Sequence, residues 1–485
     1  MGNILGIDLG TSACKLVLLD EDGELLGAKS LDVHPTTSAD GTFEQNPNEW
    51  YDAAIAGLRQ LASEGADLGA ISAVGVDGQM QGITLVDRDC NPVRDSILWN
   101  DTRSDREFAR LKNRSQGHIE ETIGYPLSTG LTISKILWLQ AHEPESWRRT
   151  FKFLHAPNFL IAKLTGQMTA DQNSLGQSGL NDFVHNGWSQ ELLELAGVDP
   201  DKVPELRQCF DVIGVVTAKA AAETGLRAGT AVVAAGGDSA AESYSIALAG
   251  SDRMKIRLGT AGDMNVVVPF DSLDPGQMWG IRDVLPDYVL LGAYTRACAS
   301  SVKWARSVFY SELPQDETTY IRMDADATTV APGSDGLLYF PYLNGEASPY
   351  YNSHISAKFL GMRGGMDRRH FARAVYEGVS FSLRDVIRSS RQFDFARRFV
   401  VVGGGAKSKL WVTILADVLG HETLVPRNCD AAFGAALIAG DGTGSFDGRA
   451  AAAANVDDHV LVEPDAGRHA VYDEGFERYL EFAGR

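Results

Sequence analysis

The chain has 485 residues, 44% hydrophobic and 22% charged, the composition of a globular protein with two or more domains and a large core. Its formal net charge of −20 argues against nonspecific binding to nucleic acid or to an anionic membrane, both of which reward basic patches. It leaves room for a phosphorylated substrate, because glycine loops and magnesium can hold phosphate inside an acidic protein. Five cysteines (Cys14, Cys90, Cys209, Cys298 and Cys429) are scattered without a CxxC pair and read as reduced thiols of a cytoplasmic protein. No stretch approaches the roughly 18–20 apolar residues of a transmembrane helix, and the N-terminus lacks the form of a secretion signal.

The chain opens on a short buried strand, residues 3–8, then a turn, Leu9-Gly10-Thr11-Ser12. Residues 14–19 form a second strand and 25–33 a third, giving a meander with glycine turns. Residues 47–65 predict an amphipathic helix with Trp50, Ala54, Leu58 and Leu61 at helical spacing. A strand at 71–76 runs into a glycine-flanked loop, Gly78-Gln79-Met80-Gln81-Gly82. The second half echoes this plan. Leu-Gly-Thr joins two strands at 9–11 and again at 258–260, and strand–glycine–helix elements occur at 231–238 and 399–408. Two echoes together predict a diverged duplication, with a boundary near 244–252 and domains of 1–246 and 247–485. The alanine-rich run at 449–454 fits a loop or short helix. A last helix over 468–482 would turn Val471, Phe476, Tyr479 and Leu480 inward.

Four turns carry candidate chemistry. Asp8 ends a strand at the mouth of a turn whose N–H groups and hydroxyls suit phosphate oxygens. A carboxylate there can hold magnesium, which takes one or two carboxylates and keeps much of its water. An ordinary hairpin is the competing reading. Gly236-Gly237-Asp238-Ser239 places a carboxylate at a strand-to-helix junction, where it can also be only an N-cap. Gly259-Thr260-Ala261-Gly262 is a second phosphate-sized turn, and Gly403-Gly404-Gly405 is wide enough for a flat ring. Neither GxxxxGK[ST] nor a GxGxxG in strand–helix context occurs, so P-loop and Rossmann readings fail.

On these residues the chain resembles the FGGY carbohydrate kinases. Residues 357–377, Ala-Lys-Phe-Leu-Gly-Met followed after seven residues by His370-Phe371-Ala372-Arg373-Ala374-Val375-Tyr376-Glu377, match that family's C-terminal signature. Residues 130–142 match most of its N-terminal one, with Ala141 departing where a polar residue is usual. Within the family, Gly78-Gln79-Met80, Ile97-Leu98-Trp99-Asn100-Asp101 and Phe340-Pro341-Tyr342-Leu343-Asn344-Gly345-Glu346 are similar to xylulokinases. The resemblance implies an α/β fold of two duplicated ribonuclease H-like domains, the actin/Hsp70/sugar kinase superfold, around a central cleft. It implies ATP and Mg²⁺ as cofactors and a small sugar as partner, with no nucleic acid or membrane, and it allows a homodimer. The N-terminal domain would bind sugar and the C-terminal one ATP. Asp238 falls on the catalytic base. Asp8, with Asp238, falls on the metal site, and Asp8, Thr11, Ser12, Gly259 and Thr260 fall on the phosphate turns. Gly404 and Gly405 fall on the adenosine site. Met80, Gln81, Trp99, Asn100, Asp101, Asp238 and Ser239 fall on or near the sugar.

The chain also departs from the xylulokinase pattern. Gln81 stands where His is usual, Ala156-Pro157-Asn158 where Pro-Lys-Asp is common, and Ala347 where an Arg follows Gly345-Glu346. The expected reaction is phosphorylation of a ketopentose, D-xylulose first. Other sugars or polyols of the family (D-ribulose, an L-ketopentose, gluconate, erythritol) are the alternative, and a non-catalytic sugar sensor is a remote one. A chaperone or filament protein of the same superfold would need neither Trp99-Asn100-Asp101 nor the signature at 357–377.

Overall fold

The computed structural model describes residues 2–115, 117–273 and 280–483. They gather into two compact units: Met1–Ala249 with Val267–Leu290 and Asn428–Asn455, and Gly250–Val266 with Leu291–Arg427 and Val456–Arg485.

In the first unit, β1 (Asn3–Leu9), β2 (Ala13–Leu19) and β3 (Leu25–Asp32) form the antiparallel meander. Helix α1 (Pro47–Ser63) follows, then β4 (Ile71–Gly78), β5 (Val212–Val215), β6 (Ala231–Gly237) and α2 (Asp238–Ser245). The sheet order is β5-β6-β4-β1-β2-β3. The three-residue turn after β1 permits only an antiparallel return, whereas β4 and β6 run parallel to β1 and each other after long crossovers. Asn46 caps α1 by accepting from the Asn48 N–H, and Pro47 sits in the first turn, where its missing N–H costs nothing. Trp50, Ala54, Leu58 and Leu61 are all buried, as their spacing predicts.

The second unit is built around β7 (Arg253–Leu258), β8 (Gly262–Pro269), α3 (Arg368–Arg388), β9 (Arg398–Val402), α4 (Lys409–Leu419) and β10 (Thr423–Pro426). The chain then forms α5 (Ala431–Gly442), which belongs to the first unit, before β11 (His459–Val462) and α6 (Ala466–Ala483). Within this unit's sheet, five neighbouring strands run β8-β7-β9-β10-β11, with β7, β9 and β10 parallel and β8 and β11 antiparallel to their neighbours. That is the pattern of β2-β1-β4-β6-β5, so the duplication is real. One sequence correspondence is corrected. The strand at 399–402 sits next to β7, as β4 sits next to β1, so its counterpart is β4 rather than the strand at 231–235. The counterpart of β6 is β10, and the Asp430 that caps α5 corresponds to the Asp238 that opens α2. Glycine pairs after β6 and β9 made the wrong strands look alike.

Close approach by α5 explains three glycines. A Cβ on Gly6 would lie 1.9 Å from the Ala432 carbonyl oxygen, and one on Gly75 would lie 2.0 Å from that of Ala435. Gly6 and Gly75 are register partners on adjacent strands, so the helix backbone rests directly on the sheet. On the other side, a Cβ on Gly434 would lie 1.9 Å from the Ala241 oxygen of α2. Gly6→Ala is expected to destabilise the protein by about 3 kcal/mol, the upper end of what overpacking costs. Gly27→Ala in β3 meets only an ordinary contact at 3.4 Å and serves as the control. Urea unfolding reads both; equal midpoints would refute the close-packing account.

The C-terminal helix is corrected in one position. Phe476, Tyr479 and Leu480 are buried as expected, but Val471 is 42% exposed and Tyr472 takes its place. Residues 472, 476, 479 and 480 form the single stripe that a 3.6-residue period requires. The Tyr472 hydroxyl accepts from Arg373 Nη2 (2.8 Å) and donates to Glu377 Oε1 (3.0 Å), so its polar end is satisfied inside. Arg373 and Glu377, both in the C-terminal signature, also bond each other at 2.8 Å in the core. The alanine-rich run forms a helix, Gly448–Asp457. Among the described residues no helix is long and apolar enough to cross a membrane, and all five cysteines are free thiols.

Candidate active site

Three charged side chains stand in a row at one end of the first sheet. Asp8 on β1 pairs with Lys15 on β2 and with Asp77 on β4. Cross-strand partners point to the same face, here the face of Gly6 and Gly75, which α5 covers. The Asp430 carboxylate caps α5 by accepting from the Phe433 N–H at 2.8 Å. Asp77 is fully buried, and among the described residues neither of its carboxylate oxygens has a hydrogen-bond partner. Burial first, then the charges of Asp8, Asp238 and Asp430, hold its carboxyl well above the usual range, while Lys15 pulls the other way. Burial, then Asp8 and Asp77, likewise push the Cys14 thiol up, so that cysteine is no nucleophile.

Asp238 is the first residue of α2, and Gly237 occupies the cap position. The Asp238 carboxylate accepts from the Ser239 N–H at 2.7 Å. The two preceding glycines have separate reasons. Gly236 has φ +81, a conformation that side chains rarely adopt, and a Cβ on Gly237 would lie 2.0 Å from Met80 Sδ. Asn173 Oδ1 fixes the turn by accepting from the Gly237 N–H at 2.8 Å. Met80 therefore packs directly beneath the backbone that presents Asp238.

The turn after β1 is wired to the Met80 loop. Trp99, 45% exposed, donates from Nε1 to Thr11 Oγ1 at 3.0 Å. Thr11 Oγ1 donates to Gln79 Oε1 (3.3 Å), Gln79 Nε2 to Gln45 Oε1 (3.2 Å), and Gln45 Nε2 returns to the Thr11 carbonyl (3.0 Å). Trp50 Nε1 also donates to Gln45 Oε1, at 3.0 Å. The Thr11 side chain is thus engaged within the protein, while Ser12 is exposed. Asn100 is half-buried, and its Oδ1 has no partner among the described residues. Asp101 is spent on structure: its carboxylate accepts from the Phe43 N–H (2.8 Å) and from the Arg103 guanidinium (2.7 Å to Nη2). That bond anchors the segment that presents Trp99 and Asn100.

Gln81 adopts φ +67, a strained value for a residue with a side chain. Its Nε2 donates to Gln177 Oε1, and its backbone carbonyl accepts from Thr132 Oγ1 at 3.2 Å. Lys135, buried in the N-terminal signature, donates to the Thr129 carbonyl at 3.1 Å and to that of Gly130, which lies against the Gln81 side chain. Burial pulls the Lys135 ammonium down to about 7.

The remaining predicted residues lie in the second unit. Backbone N–H groups of Cys298 and Ser300 bond the Thr260 carbonyl (3.1 and 3.2 Å), and that of Ala299 bonds the Gly259 carbonyl at 2.8 Å. Gly404 is open, with nothing within 4 Å of a built Cβ. Gly405 is closely packed, 2.6 Å from both Leu258 and the Trp411 ring by the same measure.

Magnesium fits the first unit. The orphaned oxygens of buried Asp77 beside Asp8 are the kind of donors a cation satisfies. Magnesium takes one or two protein carboxylates and fills its other positions with water and phosphate oxygens. Sequence reasoning passed over Asp77, Gln45 and Asp430, and gave Gln79 only as part of a motif. Asp77 had a signal: Val76-Asp77-Gly78 repeats the strand-ending Ile7-Asp8-Leu9.

Comparisons with known proteins identify the family. The model of the FGGY family of carbohydrate kinases, N-terminal domain, matches residues 3–243, and that of the C-terminal domain matches residues 254–441. The chain is 32% identical over 452 residues to the xylulose kinase of Lactococcus lactis, covering 92% of this chain and 89% of that one. It is 30% identical to the xylulose kinase of Bacillus subtilis over 454 residues, again 92% and 89% of the two chains. The crystal structure of a xyloylose kinase from Brucella ovis superposes with a TM-score of 0.88 at 28% identity, covering 99% of this chain and 98% of that one. The chain belongs to the FGGY family of carbohydrate kinases.

Proposed function

We propose that this kinase transfers the γ-phosphoryl group of ATP to the terminal hydroxyl of D-xylulose, giving D-xylulose 5-phosphate and ADP. The observation that carries the reading is the Asp238 carboxylate at the first turn of α2, seated over Met80 on a backbone built to expose it. Asp238 accepts the proton of the sugar hydroxyl as that oxygen attacks the γ-phosphorus and the bond to the β-phosphate oxygen breaks. Met80 and Trp99 form an apolar wall for the sugar. Asn100, Gln81 and Ser239 offer hydrogen bonds to its hydroxyls, and Asp101 holds their loop in place. Thr11, Ser12, Gly259 and Thr260 border the phosphates, and Gly404 and Gly405 the adenosine. Magnesium would be held by Asp8 beside Asp238, and when bound it would supply charge neutralisation of the phosphates. Five free thiols suit a cytoplasmic enzyme.

What supports D-xylulose is the name of the relatives that match nine-tenths of the chain, together with the Met80 and Trp99 loops. One observation favours a second ketose, such as D-ribulose. Gln81 is held in a strained conformation with its amide bonded to Gln177, so it meets the sugar differently from an imidazole. A site built on hydroxyl contacts discriminates strongly between epimers. Specificity constants for both sugars, in the wild type and in Gln81→His, test this. D-Xylulose should be preferred by both proteins; a tenfold wild-type preference for D-ribulose would overturn the sugar assignment.

A further inference from the structure

We propose that Asp77 is a second carboxylate of the magnesium site, so that this chain holds the cation of MgATP between two strand-end acids, Asp8 and Asp77. The inference rests on the kinase reading and deepens it. Asp8 and Asp77 are register partners on adjacent parallel strands, and their side chains point to the same face of the sheet. Both strands end there, Leu9 against Gly78, so the two carboxyls stand one residue before the loops that lead to Thr11 and Met80.

The surroundings of Asp77 make no sense for a structural acid. A buried carboxylate kept for stability is paired or hydrogen-bonded. Asp77 is fully buried, yet neither oxygen accepts a bond from any described residue. Three further carboxylates, Asp8, Asp238 and Asp430, act on it unfavourably, and Lys15 is the one opposing cation among its main charged neighbours. A neutral residue would serve the apolar core better. An arriving divalent cation reverses the balance, because it gives Asp77 the donor it lacks and offsets the repulsion between the acids. Two protein carboxylates fit magnesium, which fills its other positions with water and phosphate oxygens.

The test is Mn²⁺ binding in the presence of ADP, followed by calorimetry and by the paramagnetic signal of the bound ion, for wild type, Asp77→Asn and Asp77→Ser. Asn keeps the shape without the charge, and Ser covers the case in which Asn packs poorly. Each variant is expected to bind Mn²⁺·ADP about tenfold or more weakly, in the range that supporting metal-site residues contribute. Metal-free D-xylulose binding should be unchanged. Without metal the variants should melt at or above the wild-type temperature, and Mn²⁺·ADP should raise that temperature less than in wild type. Folded variants with Mn²⁺ affinity within twofold of wild type would overturn the proposal and leave Asp77 a buried acid. A wild type that binds Mn²⁺·ADP through Asp77 yet phosphorylates no ketopentose would support this inference and refute the sugar assignment.

Discussion

Asp238→Asn is expected to lower turnover with D-xylulose by on the order of 10²-fold or more, the scale of a positioned general base, while sugar binding survives. Asn preserves the size of the side chain and can still accept from the Ser239 N–H, but its amide cannot take the proton. Gly237, not Asp238, holds the cap position of α2, so the variant should fold with little loss of stability. Steady-state kinetics beside calorimetric sugar titration separates the two effects: kcat should fall while sugar affinity stays near wild type. Near-normal kcat in the folded variant would leave Asp238 a helix-end residue and require another base.

Asp8→Ala is expected to have a comparably large effect by a different route. Asp8 sits between Lys15 and Asp77, at the strand end that leads into the Thr11 turn. Its loss should cut ATP-dependent turnover by about 10²-fold, because charge stabilisation dominates phosphoryl transfer. The magnesium concentration needed for half-maximal rate should rise. Sugar binding without nucleotide should persist, because the Trp99 segment is anchored through Thr11 and Asp101 and the Met80 loop through Gln79. Lost sugar binding with intact nucleotide binding would reverse the division of labour between the two units.

Much of this was legible in the sequence because local chemistry dictated it. The Leu-Gly-Thr hairpins, the helix at 47–63 and the Gly-Gly-Asp junction each follow from turn geometry or hydrophobic period, and the structure has them. What failed was information that lives in strand order. Glycines after two strands suggested a pairing of 231–235 with 399–402, whereas the sheets pair β6 with β10, and no local pattern announces that. Asp77 was hidden in the same way. Along the chain it is the end of an apolar strand, and only the parallel register with β1 sets it beside Asp8. Val471 reads from the sequence as a core residue because hydropathy ranks Val over Tyr. Arg373 and Glu377, nearly a hundred residues earlier, satisfy the Tyr472 hydroxyl and reverse that ranking. The role of Asp101 as an anchor for Phe43 and Arg103 was equally non-local.

The most direct measurement is ADP release by the purified protein with Mg²⁺·ATP, over D-xylulose, D-ribulose, L-ketopentoses, gluconate, glycerol and erythritol. Sugar-dependent ADP formation that requires magnesium is expected, with the highest kcat/KM for D-xylulose and a product phosphorylated on its terminal hydroxyl. ADP release that no sugar or polyol raises above background would contradict the kinase mechanism, and a tenfold preference for gluconate or a polyol would contradict the ketopentose assignment.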